Sequence, residues 1–292
     1  MSDLNSEQIA FFHEQGYLLV PDAIPPEDFQ LLIDELNHQV DQNIQDSVQK
    51  GDLDNLFEDE GFEHRLARAV AATGRLASSS FSDRLFKGIT GKLKTEGVFK
   101  VMTHPGILGI VASLIGGEIL AHPQFNIRPK LPEQDASVVP WHQDLGYLEA
   151  DAEETFMVNF WIPLVDATVE NGCMEVVAGS HKASLIGHTH GMGPAGNFKG
   201  ILDHELPKGE CVLCPIKKGS VLLIQHKTIH RSVPNLSDHV RWSMDLRYSD
   251  PAMPTGRETV SGFLAHSKKQ PEAVTKDLDG WLEIMAGSGT DY

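Results

Sequence analysis

The sequence predicts an α+β fold with a mainly β core, in which a helical N-terminal half precedes a sandwich or jelly roll. Three observations carry this. Apolar residues in the first third recur at helical spacing, as in Phe29, Leu32, Leu36 and Val40. From about residue 118 the texture changes to short strand-like runs separated by turn residues. No repeat, low-complexity tract or Pro/Ser-rich linker interrupts the chain, so residues 1–292 read as a single domain. Within it, 1–117 is expected to be helical support, 118–250 the jelly-roll core and 251–292 a C-terminal extension.

The elements follow in order. Asn5 is placed to cap a first helix carrying Ile9, Ala10 and Phe11, and Gln8 three residues on completes a capping box. Gly16 ends that helix, and Tyr17-Leu18-Leu19-Val20 reads as a strand. Pro25 and Pro26 open the longer helix that carries Phe29 to Val40. Residues 41–65 are polar and acidic, and further helix is expected over 66–92 and 97–115, the latter closed by Gly116-Gly117. The expected strands are 118–121, 124–128, 157–164, 174–177, 220–226 and 241–248. Asn171-Gly172 is a tight-turn signal between two of them, and Gly219 precedes another.

Bulk properties narrow the function classes. The chain has 292 residues, 41% hydrophobic and 22% charged, as an ordinary globular protein does. Its formal charge of −17 argues against nucleic acid or an anionic membrane as partner, because either requires a basic face. The apolar stretch from Gly106 to Gly116 is too short for a bilayer and reads as a core helix. Three cysteines, the absence of a secretory leader and a C-terminus unlike a peroxisomal address set cytoplasmic location as the expectation.

The residues that carry chemistry lie in the β half. Trp141-His142-Gln143-Asp144 places a His and an Asp at i and i+2, on one face of an extended segment. Taken alone, such a pair is equally a surface turn with two solvated groups. A third ligand is offered by His230, near a strand end in Ile229-His230-Arg231-Ser232. Two imidazoles and one carboxylate leave coordination positions open, which suits Fe(II) with a bidentate co-substrate and O2. His226 competes for the third place, but the spacing to Arg241 favours His230. Arg241 opens a predicted strand, and Ser232 lies two positions past the histidine. An arginine fork with a hydroxyl beside it holds the far carboxylate of an iron-bound dicarboxylate.

The sequence resembles the phytanoyl-CoA dioxygenase family of Fe(II)/2-oxoglutarate oxygenases over roughly residues 6 to 265. The resemblance runs from residues 7–17, Glu-Gln-Ile-Ala-Phe-Phe-His-Glu-Gln-Gly-Tyr, through the Trp141–Asp144 motif and Trp161-Ile162-Pro163-Leu164-Val165-Asp166-Ala167-Thr168. It continues with Glu170-Asn171-Gly172-Cys173 and Gly179-Ser180-His181, and closes on His230, Ser232 and Arg241. It implies a double-stranded β-helix, the cupin-like jelly roll, buttressed by helices. It also implies that His142, Asp144 and His230 hold iron, and that Arg241 and Ser232 hold the far carboxylate of 2-oxoglutarate. Trp161 matches a wall of that pocket, Gln124 and Asn126 match positions facing the co-substrate, and Lys87 matches a further contact. Arg231, Pro234 and Ala178 depart from the family pattern, and bear on the entrance rather than the iron site. Related halogenases replace the carboxylate ligand with a small residue; Asp144 therefore favours hydroxylation.

The activity implied is oxidation of a small or medium-sized organic substrate with release of succinate and CO2, ascorbate being supportive. Desaturation, epimerisation or ring formation at the same centre is the alternative, and a catalytically silent metal- or keto-acid-binding jelly roll is the reading from another class. Cys211 and Cys214 read as strand packing, His181 as structural, and the glycine-rich stretch 187–200 with His188 and His190 as a surface loop or lid. Phe125, Tyr147 and Arg247 are possible pocket residues.

Overall fold

A computed structural model of the chain describes residues 3–73, 93–133, 137–193, 198–257 and 259–287. Its larger sheet is built from β1 (Tyr17–Val20), β9 (Val221–Gln225), β4 (Val158–Pro163), β11 (Arg241–Ser249), β2 (Ile119–Ala121) and β12 (Phe263–His266), in that spatial order. β3 (Asn126–Lys130) also pairs with β11, alongside β2. The smaller sheet has the order β10 (His230–Ser232), β5 (Met174–Val177), β8 (Cys211–Cys214). All the strand pairs are antiparallel.

The alternation of side chains along the central strands decides where the site forms. Trp242, Met244, Leu246 and Tyr248 on β11 join Phe160 and Ile162 of β4 and Val221 and Leu223 of β9 in the large core. The helices α1 (Ser6–Gln15), α2 (Gln30–Gln49), α3 (Arg65–Ala72), α4 (Glu96–Met102) and α5 (Pro105–Ile115) contribute Phe12, Leu36, Leu66, Val98 and Ile110 to the same core. The intervening residues face the other way. Trp161, Leu222 and Ile224 pack with Met174, Val176 and Cys214 of the smaller sheet. On β11 that second face carries Arg241, Ser243, Asp245 and Arg247. An alternating strand thus buries its apolar set against helices and offers a polar set to the space between the sheets.

The N-terminal elements match the expected caps. Asn5 accepts from Gln8 N, the Gln8 side chain returns to Asn5 N, and Gly16 closes the helix at φ 77°. A Cβ at residue 16 would stand 2.2 Å from His181 Nδ1, so glycine serves both the turn and the packing of His181. His181 Nε2 is 3.0 Å from His13 O, a structural role.

Several boundaries differ from expectation. The helix expected over 97–115 is two helices, because His104 is extended at φ −60°, ψ 131° ahead of Pro105. The His104 ring accepts from Gly106 N and caps the second helix. Residues 96–115 together are long and apolar enough to cross a membrane, yet Val98, Val101, Ile107 and Ile110 lie in the protein core. Of the helix expected over 66–92, α3 spans Arg65–Ala72, and 74–92 lie outside the described residues. The strand expected at 124–128 runs Asn126–Lys130, so Gln124 precedes it. The stretch 187–200 contains a hairpin, β6 (Thr189–Met192) with β7 (Phe198–Gly200).

The described residues from 259 on contribute to both the sheet and the core. β12 continues the larger sheet beside β2, and α6 (Leu278–Ala286) places Trp281, 1% exposed, in the main core. Its ring lies 5.7 Å from Phe125, 6.0 Å from Phe263 and 6.1 Å from Phe99. Trp281→Ala is expected to cost about 3–5 kcal/mol, the range for emptying a large aromatic site. A urea melt showing less than about 1 kcal/mol of loss would place the helix outside the cooperative unit.

Candidate metal and co-substrate site

The site forms where the segment before residue 144 meets β10. His142 and His230 are backbone partners, each N–H donating to the other's carbonyl at 3.0 Å. That pairing brings the two rings to a centroid separation of 4.2 Å. Each ring is then oriented by its own chain. His142 Nδ1 sits 2.9 Å from Pro140 O, and His230 Nδ1 sits 2.9 Å from Thr228 O. With both Nδ1 protons donated to carbonyls, both Nε2 atoms present lone pairs to one point. Burial above all pushes His230 down to about 4, so its imidazole is neutral at physiological pH.

Asp144 completes the group. Its Oδ1 lies 3.6 Å from His142 Nε2 and 4.0 Å from His230 Nε2, and the three ligand atoms are within 4.8 Å of one another. Asn159 Nδ2 donates to Oδ2 at 2.5 Å, and Arg247 Nη2 is 3.2 Å from Oδ1. Burial opposes the carboxylate charge, but the Arg247 guanidinium above all holds its carboxyl well below the usual range. Asp144 is thus a fixed anion. Two imidazoles and one carboxylate can hold a divalent iron and leave the remaining positions open.

The candidate anion anchor lies on the same face. Arg241 is 2% exposed, donates from Nη1 to Ser243 Oγ at 2.6 Å, and has its guanidinium 4.9 Å from the Trp161 ring centre. Its Nε is buried without a partner. Burial draws Arg241 down to about 10, which leaves it charged at neutral pH. A buried cation with an unmet donor fits a dicarboxylate, and among the described residues no carboxylate pairs with it.

The remaining predicted residues sort cleanly. Ser232 is 3% exposed on β10, two residues past His230, and its Oγ accepts from Lys130 Nζ at 2.9 Å. Asn126 stands opposite Asp245 in the β3–β11 register, so it shares the inner face. Gln124 lies just before β3 with a buried, unpartnered Oε1. Lys87 falls outside the described residues. His226 is 1% exposed with both ring nitrogens unpartnered, and it stands outside the three-residue ligand group. Tyr147 stacks edge-on to His142 at 5.6 Å, and His188 Nε2 accepts from Gln143 N at 3.0 Å. The hairpin stretch is therefore tied to the metal motif. Phe125 is core, against Trp281.

Sequence reasoning missed Asn159, Lys130 and the pair Arg128–Asp245, whose Nε–Oδ2 distance is 2.5 Å. The available signal was the polar residue at every second position of strands that are otherwise apolar. Asn159 holds Asp144 from outside the ligand set. Asn159→Ala is expected to weaken Fe(II) binding by roughly 10- to 100-fold, as loss of such supporting groups does. Metal titration of the purified protein reads this directly, and unchanged affinity would remove Asn159 from the site.

A second cluster, His64, Asp238 and His239, brings three possible ligand atoms within 4.8 Å. Its hydrogen bonds speak against metal. Asn171 Oδ1 accepts from Thr168 N, so its Nδ2 donates to His239 Nε2 at 3.3 Å, and the ring proton stays on Nδ1, facing Asp238. Arg68 occupies the other Asp238 oxygen at 3.2 Å.

Comparison with known proteins bears on the fold and the family. The family profile for phytanoyl-CoA dioxygenase (PhyH) matches residues 12–243. Among curated relatives, a phytanoyl-CoA dioxygenase of Arabidopsis thaliana is 26% identical over 265 residues, covering 83% of this chain and 88% of that protein. The human peroxisomal phytanoyl-CoA dioxygenase is 24% identical over 252 residues, covering 84% and 68%. Among solved structures, the non-heme monooxygenase ThoJ superposes with a TM-score of 0.65 at 19% identity, covering 96% of this chain and 95% of that one. The α-ketoglutarate-dependent epimerase SnoN of nogalamycin biosynthesis gives 0.55 at 18% identity, covering 84% and 82%. These two likenesses establish the jelly-roll fold, and the profile match over most of the sequence establishes more: the chain belongs to the phytanoyl-CoA dioxygenase family of iron- and 2-oxoglutarate-dependent oxygenases.

Proposed function

We propose that His142, Asp144 and His230 hold the iron, that Arg241 and Ser232 hold the far carboxylate of 2-oxoglutarate, and that the enzyme hydroxylates a small or medium-sized organic molecule. One observation carries the reading: three converging ligand atoms share the inner face with a buried arginine that has an unmet donor. Bound iron and 2-oxoglutarate supply the oxidation, in which O2 is consumed and the keto acid is converted to succinate and CO2.

The chain's own residues do the rest. The carbonyls of Pro140 and Thr228 keep both imidazoles in the tautomer that exposes Nε2. Asn159 and Arg247 keep Asp144 ionised and turned inward. The indole of Trp161 walls the co-substrate space and shields the Arg241 guanidinium from water, which strengthens its attraction for a carboxylate. Gln124 and Asn126 are taken as polar contacts along the co-substrate, and Lys87 as a further one. Asp144 fills the position that a halide would need, which favours oxygen transfer. The free cysteines Cys173, Cys211 and Cys214 are compatible with a reducing, cytoplasmic setting, and residues 1–292 are taken as one catalytic unit.

The test is a compound screen for stimulated succinate formation, followed by product mass under ¹⁸O2. Gain of one labelled oxygen is the expected result. Loss of two hydrogens, or no mass change with inverted stereochemistry, would replace hydroxylation by desaturation, ring formation or epimerisation at the same centre.

A further inference from the structure

Lys130 lies outside both the three-residue ligand group and the Arg241–Ser232 pair. It ends β3, is 1% exposed, and stands directly opposite Arg241 in the β3–β11 register. Its Nζ donates to Ser137 O at 2.8 Å and to Ser232 Oγ at 2.9 Å, the hydroxyl assigned to the far carboxylate. The stem runs beneath the Asn171-Gly172 turn: a Cβ on Gly172, at φ 95°, would stand 2.6 Å from Lys130 Cε. Glycine at this turn leaves the room the lysine occupies. Burying a lysine is costly, and such groups are normally paired. Here no carboxylate of the described residues lies within 4.0 Å of Nζ.

The charged and titratable groups that face Lys130 are Arg241 on β11, Arg128 on its own strand, and the thiol of Cys173 beyond Gly172. Two of the three are cations. Burial first, then Arg241, pushes Lys130 down to about 6, so at neutral pH it rests mostly as the free amine. A negative group is what the cluster lacks. The far carboxylate of 2-oxoglutarate, arriving at Arg241 and Ser232, would supply it within reach of the amine.

We propose that Lys130 is a second cation of the co-substrate anchor, and that it takes up a proton from solvent when 2-oxoglutarate binds. This rests on the reading that the site takes 2-oxoglutarate at Arg241 and Ser232. The balance is simple: the amine and one solvent proton become an ammonium ion, which pairs with the incoming carboxylate, and no covalent bond to the ligand forms. Because the bound state holds one more proton than the free state, affinity strengthens as pH falls, by up to about tenfold per unit above the free-state value. Lys130 is a binding and positioning group, and it takes no part in the oxidation itself.

The experiment is calorimetric titration of 2-oxoglutarate into anaerobic, Fe(II)-loaded protein in two buffers of different ionisation enthalpy, at pH 6.5, 7.5 and 8.5. The wild type is expected to take up close to one proton per ligand at pH 7.5, with the Kd rising roughly tenfold per unit toward pH 8.5. Lys130→Met should bind roughly tenfold or more weakly at pH 6.5, with no proton uptake and a flat pH profile. Lys130→Arg, which keeps a fixed charge, should bind without uptake, and it carries the decision if the methionine variant does not fold. Wild-type binding without proton uptake would overturn the proposal and leave the co-substrate reading standing. Uptake persisting in either variant would overturn it as well. Absence of any 2-oxoglutarate binding by the iron-loaded wild type would overturn both.

Discussion

His142→Ala is expected to abolish iron-dependent conversion of 2-oxoglutarate to succinate, by at least about 100-fold. Loss of a supporting hydrogen bond at a metal site already costs 10- to 100-fold, and loss of a ligand removes more. The choice of residue matters. His142 is held at Nδ1 by Pro140 O and turns only Nε2 toward the site, so its removal strands no buried charge. The variant should therefore fold as the wild type does and lose Fe(II) binding. Asp144→Ala differs: Arg247, 7% exposed, would keep its charge and lose the carboxylate 3.2 Å away. Breaking a buried pair on one side costs about 3–5 kcal/mol, so that variant should also melt at a clearly lower temperature. Anaerobic Fe(II) titration, succinate assay and thermal melts on both proteins separate the two effects. Full turnover by His142→Ala would remove it from the ligand set.

Arg241→Met is expected to raise the 2-oxoglutarate Kd by roughly 30-fold or more, corresponding to the 2 kcal/mol or more typical of truncating a buried charged contact. The free protein should not suffer equally. Its Arg241 is buried, with Nε unpartnered and a side-chain hydroxyl rather than a carboxylate at Nη1. A methionine of similar reach removes that desolvation and can pack on Trp161, so the unliganded melting temperature should stay level or rise. What should vanish is the upward shift on adding 2-oxoglutarate, since a ligand stabilises only as far as it is bound. A variant that keeps the wild-type shift would place the far carboxylate elsewhere. Iron binding should be unchanged, because Arg241 pairs with none of the three candidate ligands.

Much of the site was legible in the chain because its residues sit in short, ordered motifs. His142 and Asp144 are two apart, Ser232 is two past His230, and Arg241 opens a strand whose alternation is plain. The 230/232 spacing and the alternation from Arg241 translate into shared faces under strand geometry alone, whereas Asp144 opens a 3-10 turn. Elements were legible where caps or turns marked them, as with Asn5, Gly16 and Asn171-Gly172. The helix break at His104 was not read, since the apolar run continues past it and a proline is acceptable in a first helical turn. The helix Leu278–Ala286 carries no such local mark of its place in the core. Trp281 finds Phe99, Phe125 and Phe263 across long sequence separations, and no local pattern encodes such a meeting.

The sequence by itself determined the fold class, the family, the three metal-binding side chains as candidates and the arginine beside them. The tertiary structure alone decided what surrounds them. Antiparallel pairing of residues 142 and 230 sets the two imidazoles at one point. The β4–β11 register sets Asn159 opposite Arg247, and both contact Asp144. The β3–β11 register sets Lys130 opposite Arg241, and the smaller sheet brings Ser232 to its amine. The physical reason is the same each time. Side-chain direction is a local property of a strand, whereas the partner it meets is fixed by register, which depends on how the whole sheet buries its apolar face.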